Sequence, residues 1–190
     1  MISAFEYVTV LISIILGLGI TQILTAIADL IHQSKRVKVY WPHVLWVLIV
    51  LILHVQEWWI IYDLKNYAPW RLPTFLFIMV YPIILFVLAR LLFPFGIQEG
   101  MIDLKAFYQD NYPKIFLFSI GLAVLGILDS LIIRGDSVQS QLLKLVVPFI
   151  FSVLYFKKSP EWVHKLVSIG FLLLLIVTIA VEWNVWLISN

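Results

Sequence analysis

Three carboxylates and one imidazole are the side chains best placed to do chemistry, because all four fall inside long apolar runs. Glu57, Asp129 and Glu182 belong to three different runs, and His54 stands three residues before Glu57, on the same face of a helix. An ionisable group at membrane depth costs about 2.5–3.5 kcal/mol or more, so it faces the interior of a bundle. Carboxylates gathered away from water hold protons or attract a cation, and His54 would then act as a proton-exchanging neighbour. The plainer arrangement keeps the groups apart. Glu57 bonds His54 or a tryptophan ring nitrogen, Asp129 bonds Ser130 or a neighbouring helix, and Glu182 stays wet. Residue types alone leave both arrangements open.

A second set is Asp29 and Arg90, which spans one and three place at comparable height. They form either an ion pair or a snorkelling arginine and a solvated aspartate. Thr9, Ser13, Gly17, Thr21 and Thr25 recur every four residues, with Gly19 and Gln22 beside them. Small residues at that spacing let helices approach closely, within the bundle or between copies. Otherwise they line a polar path with Gln22 near mid-membrane. Ser119, Ala123 and Gly126 offer a matching seam.

Metal and cofactor chemistry find little support. His32, His43 and His164 fall at one boundary, but without local ligand spacing or an accompanying carboxylate motif, so no metal site is expected. There is no cysteine, which excludes disulfides, thiolate metal sites and cysteine nucleophiles. Neither H-E-x-x-H, G-x-S-x-G, G-x-x-x-x-G-K-[ST] nor G-x-G-x-x-G occurs. No catalytic residue and no cofactor is assigned.

The elements that position these residues follow from composition. Of the 190 residues 63% are hydrophobic and 13% charged, against about 45–50% and about 25% in soluble domains. A transmembrane helix needs about 20 mostly apolar residues. Six runs meet or approach that length, at about 5–32, 43–64, 74–93, 114–133, 142–156 and 163–188. The expected fold is all-α, a polytopic integral membrane bundle of six transmembrane helices forming one domain over 1–190. The segment Phe95–Pro113 reads as a short interfacial helix between the third and fourth spans. The first run lacks the charge pattern and cleavage site of a signal peptide, so it is expected to be retained. At 1.5 Å per residue, Glu57 and Asp129 each lie about 20 Å from the inner edge, in the outer third of a core about 30 Å thick.

Orientation follows from the positive residues, which stay on the cytoplasmic side. Nine of the 13 Lys and Arg residues fall in the first, third and fifth connections or at their edges, among them Lys35, Arg36 and Lys38. Both termini are therefore expected outside. Tyr40, Trp41, Trp46, Tyr155 and Trp162 would form an inner aromatic belt. Trp58, Trp59, Tyr62, Tyr67, Trp70, Trp183 and Trp186 would form an outer one, serving as anchor or as an aromatic-lined mouth for a ligand or cation. A faint echo links Trp41-Pro42-His43 and Glu57 with Pro160, Trp162, His164 and Glu182. It is either a repeated hairpin or convergence on interfacial chemistry.

A net charge of +2 gives no reason to expect nucleic acid as a partner. The leading expectation is a small proton- or cation-conducting channel or transporter subunit, working as a homo-oligomer in a bacterial inner membrane. Its site is Glu57 and Asp129 with His54 as relay, braced by Arg90 and Asp29. A membrane sensor or scaffold is the alternative, docking a cytoplasmic partner at residues 95–113 through Phe107 and Tyr108. An intramembrane lipid-modifying enzyme is the third, and it needs a polar cavity, open sideways to lipid, that joins several of His54, Glu57, Asp129 and Glu182.

Overall fold

A computed structural model describes residues 3–94, 100–156 and 159–181. Six helical segments are long and apolar enough to cross a membrane. Their helices are α1 (Ala4–His32), α2 (Trp41–Ile60, extended by a 3-10 turn Ile61–Asn66), α3 (Leu72–Leu91) and α4 (Leu104–Ile132). The fifth segment combines α5 (Val138–Gln141), a 3-10 turn Leu143–Leu145 and α6 (Val146–Phe156), and the sixth is α7 (Glu161–Val181). In the most apolar stretch of any span no more than 33% of residues are buried. Leu143 and Phe156 are among many large apolar side chains left outside the bundle. Water would penalise that surface at about 25 cal/mol per Å². Lipid would not.

Local chemistry sets the ends of the helices. Ser3 and Glu6 form a reciprocal capping box at the start of α1, at 2.7 and 3.1 Å. Pro42 and Pro73 sit in the first turns of α2 and α3, where a missing N–H costs nothing. Asp103 caps α4 through the backbone N–H groups of Lys105 and Ala106. Gly135, at φ 72°, turns the chain after α4 in a conformation that favours glycine.

Because Asp103 nucleates it, α4 starts ten residues before the expected fourth span and runs unbroken through Pro113. Residues 104–113 are thus the first turns of a transmembrane helix and not a separate interfacial one. A two-residue parallel bridge precedes it, β1 (Val37–Lys38) beside β2 (Ile102–Asp103). Residues 95–99 of the expected interfacial segment lie outside the described residues.

In the packing order α3 lies between α1 and α4, α2 crosses α1, α3 and α7, and α6 packs on α4. The expected seams on α1 and α4 therefore do not meet. The stripe of α1 that packs is Val8, Ile12, Leu16, Gly19 and Ile23, a neighbouring line of positions. Gly17, Thr21 and Thr25 face outward, and nothing stands within 4 Å of a Cβ placed on Gly17. Thr9 and Thr21 turn their hydroxyls onto the carbonyls of Phe5 and Gly17, at 2.9 and 2.8 Å. Gln22 keeps a buried amide oxygen without a hydrogen-bond partner among the described residues.

The two ends of the bundle differ in character. One gathers Glu57, Asp63, Asp129 and Arg134, and is called here the acidic end. The other gathers His43, Tyr108 and His164, the histidine end. Trp46 does not join an aromatic belt there. It is 1% exposed, with ring centroids 5.5 Å from Phe116, 5.7 Å from Phe151 and 5.8 Å from Phe171. Four helices thus contribute to one aromatic plug.

Candidate functional site

Glu57 stands in the last turn of α2 and Asp129 in the last turn of α4. The chain reverses twice between these helices, through α3, so both carboxylates come to the acidic end. Arg134, just past α4, joins them to the α2–α3 connection. Its Nε donates to Asp129 Oδ2 and its Nη1 to Asp63 Oδ2, each at 3.1 Å. The guanidinium is 29% exposed, and the aspartates are 29% and 42% exposed. Partial burial works against its charge, yet the bonds to Asp63 and Asp129 hold Arg134 above its usual range. Glu57 lies within electrostatic range of both Asp129 and Arg134. Tyr81, from the middle of α3, lies within range of Glu57 and Asp129. Spans two, three and four thereby converge on one polar cluster.

Within the cluster three carboxylates, Glu57, Asp63 and Asp129, face one guanidinium, with the Lys144 ammonium nearby at 3.3 Å from the Ser130 hydroxyl. Arg134 bonds two of them, and among the described residues Glu57 makes no ion pair within 4.0 Å. A proton or a small cation would offset the excess negative charge at low cost. Glu182, the fourth expected member, lies outside the described residues.

His54 does not join the cluster. Its Nδ1 lies 2.7 Å from the Val50 carbonyl, so Nδ1–H donates to it and Nε2 carries the lone pair. The ring is fully buried and lies against Gly19 of α1. A Cβ at Gly19 would clash with Nε2 and come within 2.7 Å of Cδ2. The shared helical face is real, but a three-residue offset still leaves the two side chains about 60° apart around the helix. That is enough to aim His54 at α1 while Glu57 looks toward α3 and α4. An unbroken His54–Glu57 relay is absent among the described residues.

The remaining candidates separate. Asp29 is exposed and makes no ion pair with Arg90. α1 turns that aspartate outward, away from α3. His43 and His164 do approach each other through Tyr108, which lies 6.4 Å from the first ring and 5.7 Å from the second, centroid to centroid. The Tyr108 hydroxyl and His164 Nδ1 are 3.3 Å apart. His32, at the exposed end of α1, is not part of this group. No set of three ligands able to hold a metal occurs among the described residues.

Of the pair expected to dock a partner, Tyr108 is 1% exposed and belongs to the core, while Phe107 is half-buried with its ring 5.7 Å from that of His43. Arg134, Asp63 and Tyr81 were not among the residues singled out from sequence. Arg134 and Asp63 sit in connections, where charge is ordinary, and the only clue was the spacing of Arg134 five residues after Asp129. Compared with family models, characterised proteins and solved structures, the chain matches none, so the chemistry rests on its own residues.

Proposed function

We propose that the chain is an integral membrane carrier for a proton or a small cation, taken up at the Glu57–Asp129 site of the acidic end. The observation that carries this reading is the approach of Glu57 and Asp129, from spans two and four, to the Arg134 guanidinium, with Tyr81 of span three within electrostatic range of both carboxylates. Intramembrane ionisable residues mark ion paths and proton relays by default. Asp63 and Asp129 share Arg134, which leaves Glu57 as the group that exchanges its proton or binds the cation. Arg134 acts as an internal counter-charge. It swings toward Glu57 when the cargo leaves and returns to the aspartates when cargo binds.

The aromatic plug argues for a carrier and against a standing pore. Trp46, Phe116, Phe151 and Phe171 fill the space among α2, α4, α6 and α7 at centroid separations of 5.2–5.8 Å. Water has no open column there, so cargo crosses only when the helices rearrange. The charge bias of the connections puts the acidic end, and both termini, outside the cytoplasm. The outward line of Gly17, Thr21 and Thr25 supports side-by-side assembly of copies.

The test is proton and monovalent-cation flux into liposomes holding the purified protein, with Glu57→Gln alongside. Wild type transports, and the folded Glu57→Gln variant does not. Equal flux in the two would overturn the assignment of Glu57. No flux from inserted, folded wild type would overturn the carrier reading.

A further inference from the structure

At the acidic end, α1, the end of α2 and the 3-10 turn after it line a half-open cavity of about 230 Å³. Its lining is mostly aromatic: Phe5 from α1, Trp58 and Trp59 from the end of α2, and Tyr62 from the 3-10 turn. Thr9 and Ser13 of α1 supply hydroxyl oxygens on one wall. The rings form two edge-to-face pairs. Phe5 and Tyr62 are 6.4 Å apart at 81°, and Trp58 and Trp59 are 6.5 Å apart at 66°. Ring pairs set across one another enclose a space with π-faces from several directions, the arrangement that recognises alkylated ammonium groups. The volume is below the range of about 300–1,000 Å³ that holds drug-sized ligands. It suits a headgroup.

A charge that contacts the lining residue Tyr62 narrows the ligand further. Lys65 holds its ammonium 4.5 Å from the Tyr62 ring centroid and 3.4 Å from the Tyr62 hydroxyl. A bare cation entering beside Lys65 would be repelled. A zwitterion that carries a phosphate next to its ammonium group would be attracted at both ends. The position supports the same choice, because Trp58 is half exposed in the terminal turn of a span, at the level where tryptophan meets lipid headgroups.

We propose that this cavity binds a phosphocholine-class zwitterion, with its alkylammonium group among Phe5, Trp58, Trp59 and Tyr62 and its phosphate against Lys65. The ligand is either the headgroup of a lipid in the adjoining leaflet or a free solute of the same chemistry. Neither Glu57 nor Asp129 lines the cavity, so the proposal stands or falls apart from the carrier reading.

Calorimetric titration of the delipidated protein in a maltoside detergent tests the site, with phosphocholine and tetramethylammonium as separate probes. Phosphocholine binds wild type saturably and about tenfold more weakly to Trp58→Ala, as the loss of one cation–π face predicts. Ser13→Leu fills the cavity without removing a ring and also weakens binding. It carries the test should Trp58→Ala fail to fold. Lys65→Gln weakens phosphocholine but strengthens tetramethylammonium, because the repelling charge is gone. A second arm measures lipid retained after purification from equal phosphatidylcholine and phosphatidylglycerol. Preferential retention of phosphatidylcholine assigns the site to a membrane lipid, whereas saturable phosphocholine binding without lipid selection assigns it to a solute. Absence of saturable binding together with equal retention of the two lipids overturns the proposal, as does full binding by a folded Ser13→Leu. Loss of both probes in Lys65→Gln would remove the phosphate from the assignment.

Discussion

The two ends of the bundle handle polarity in opposite ways. At the histidine end, charges in the connections and first helical turns form directly opposed pairs. Lys105 meets Glu161 at 2.7 Å, Glu161 meets Lys165 at 2.9 Å, and Lys38 approaches Asp103 at 4.0 Å. Beneath them lies a dry aromatic layer in which Trp46, Tyr108 and Phe116 are almost wholly buried. At the acidic end the last turns of α2 and α4 carry carboxylates between the helices, and one arginine is bonded to Asp63 and Asp129 and not to Glu57. The first arrangement satisfies its charges locally and fills its core. The second leaves a charge imbalance inside the bundle, which is the expensive choice. A fold that needed only stability would build both ends like the first.

The largest effect that sharpens this contrast comes from opening the plug. Trp46→Ala removes the indole from among Phe116, Phe151 and Phe171. Large-to-small changes at such sites cost about 3–5 kcal/mol. In a bilayer the loss is of packing contacts and not of a hydrophobic drive, so about 3 kcal/mol is expected, read as a lower midpoint in detergent unfolding. The same variant, reconstituted in liposomes, should leak protons without saturation if the plug is what separates the acidic site from the opposite side. A destabilised but tight Trp46→Ala would place the barrier elsewhere.

A pair of glycines in α1 gives the next effect. Gly19 meets the His54 ring, whereas Gly17 meets nothing. Gly19→Ala forces α1 away from α2 and should cost about 1–3 kcal/mol, the usual penalty for overpacking. Gly17→Ala should change monomer stability by less than about 0.5 kcal/mol. His54→Ala combined with Gly19→Ala should recover part of the loss, since the clash is with the imidazole. Gly17→Leu would leave the fold intact, and a change in cross-linked species would show that copies meet along this face.

Arg134→Gln then tests the acidic end itself. Two ion pairs to aspartates are lost, and because the guanidinium is still 29% exposed the stability change should be near about 1 kcal/mol. The functional change should be larger. Without the shared counter-charge, the Glu57 site retains its proton or cation, so flux falls while binding strengthens. Loss of stability with unaltered flux would reduce Arg134 to a structural strut.

The six spans were legible because membrane solvation acts on composition directly, and runs of about 20 apolar residues need no partner to be recognised. The meeting of Glu57 and Asp129 at one end followed from the up-and-down course of the chain and their equal depth. What spacing could not supply was rotation. Thr9, Ser13, Gly17, Thr21 and Thr25 looked like the packing seam, yet the adjacent Val8–Ile12–Leu16–Gly19–Ile23 line packs instead. In lipid, polar hydroxyls that bond their own helix gain nothing by being buried, and the apolar signal is the same on every face. His54 was misdirected for the same reason. Arg134 and Asp63 were hidden because they lie in connections, where a charge is ordinary until a tertiary contact turns it inward. Pro113 signalled a helix boundary, but the Asp103 cap upstream set the start of α4.

The smallest effect lies at that cap. Asp103 accepts the backbone N–H of Ala106 at 3.1 Å and of Lys105 at 2.9 Å, with Lys38 nearby. The Ala106 N–H foremost, then that of Lys105 and the charges of Lys38 and Lys105, hold its carboxyl below the usual aspartate range. A depressed folded-state value means that the stabilisation is fully present above the unfolded aspartate value, near about 3.9. It is lost as pH falls through the lower folded value. Between pH 5 and 2 amide exchange at Lys105 and Ala106, corrected for its intrinsic pH dependence, should therefore lose protection before the α4 core does. Asp103→Asn keeps a capping oxygen and should flatten that pH dependence while retaining protection at neutral pH. Asp103→Ala should lose protection at every pH. Because the site is exposed and water competes for the same N–H groups, neither change should reach the acidic end or alter flux. If Asp103→Ala did reduce transport, the two ends would be coupled through α4, and the division between a satisfied end and a working end would have to be redrawn as one mechanical unit.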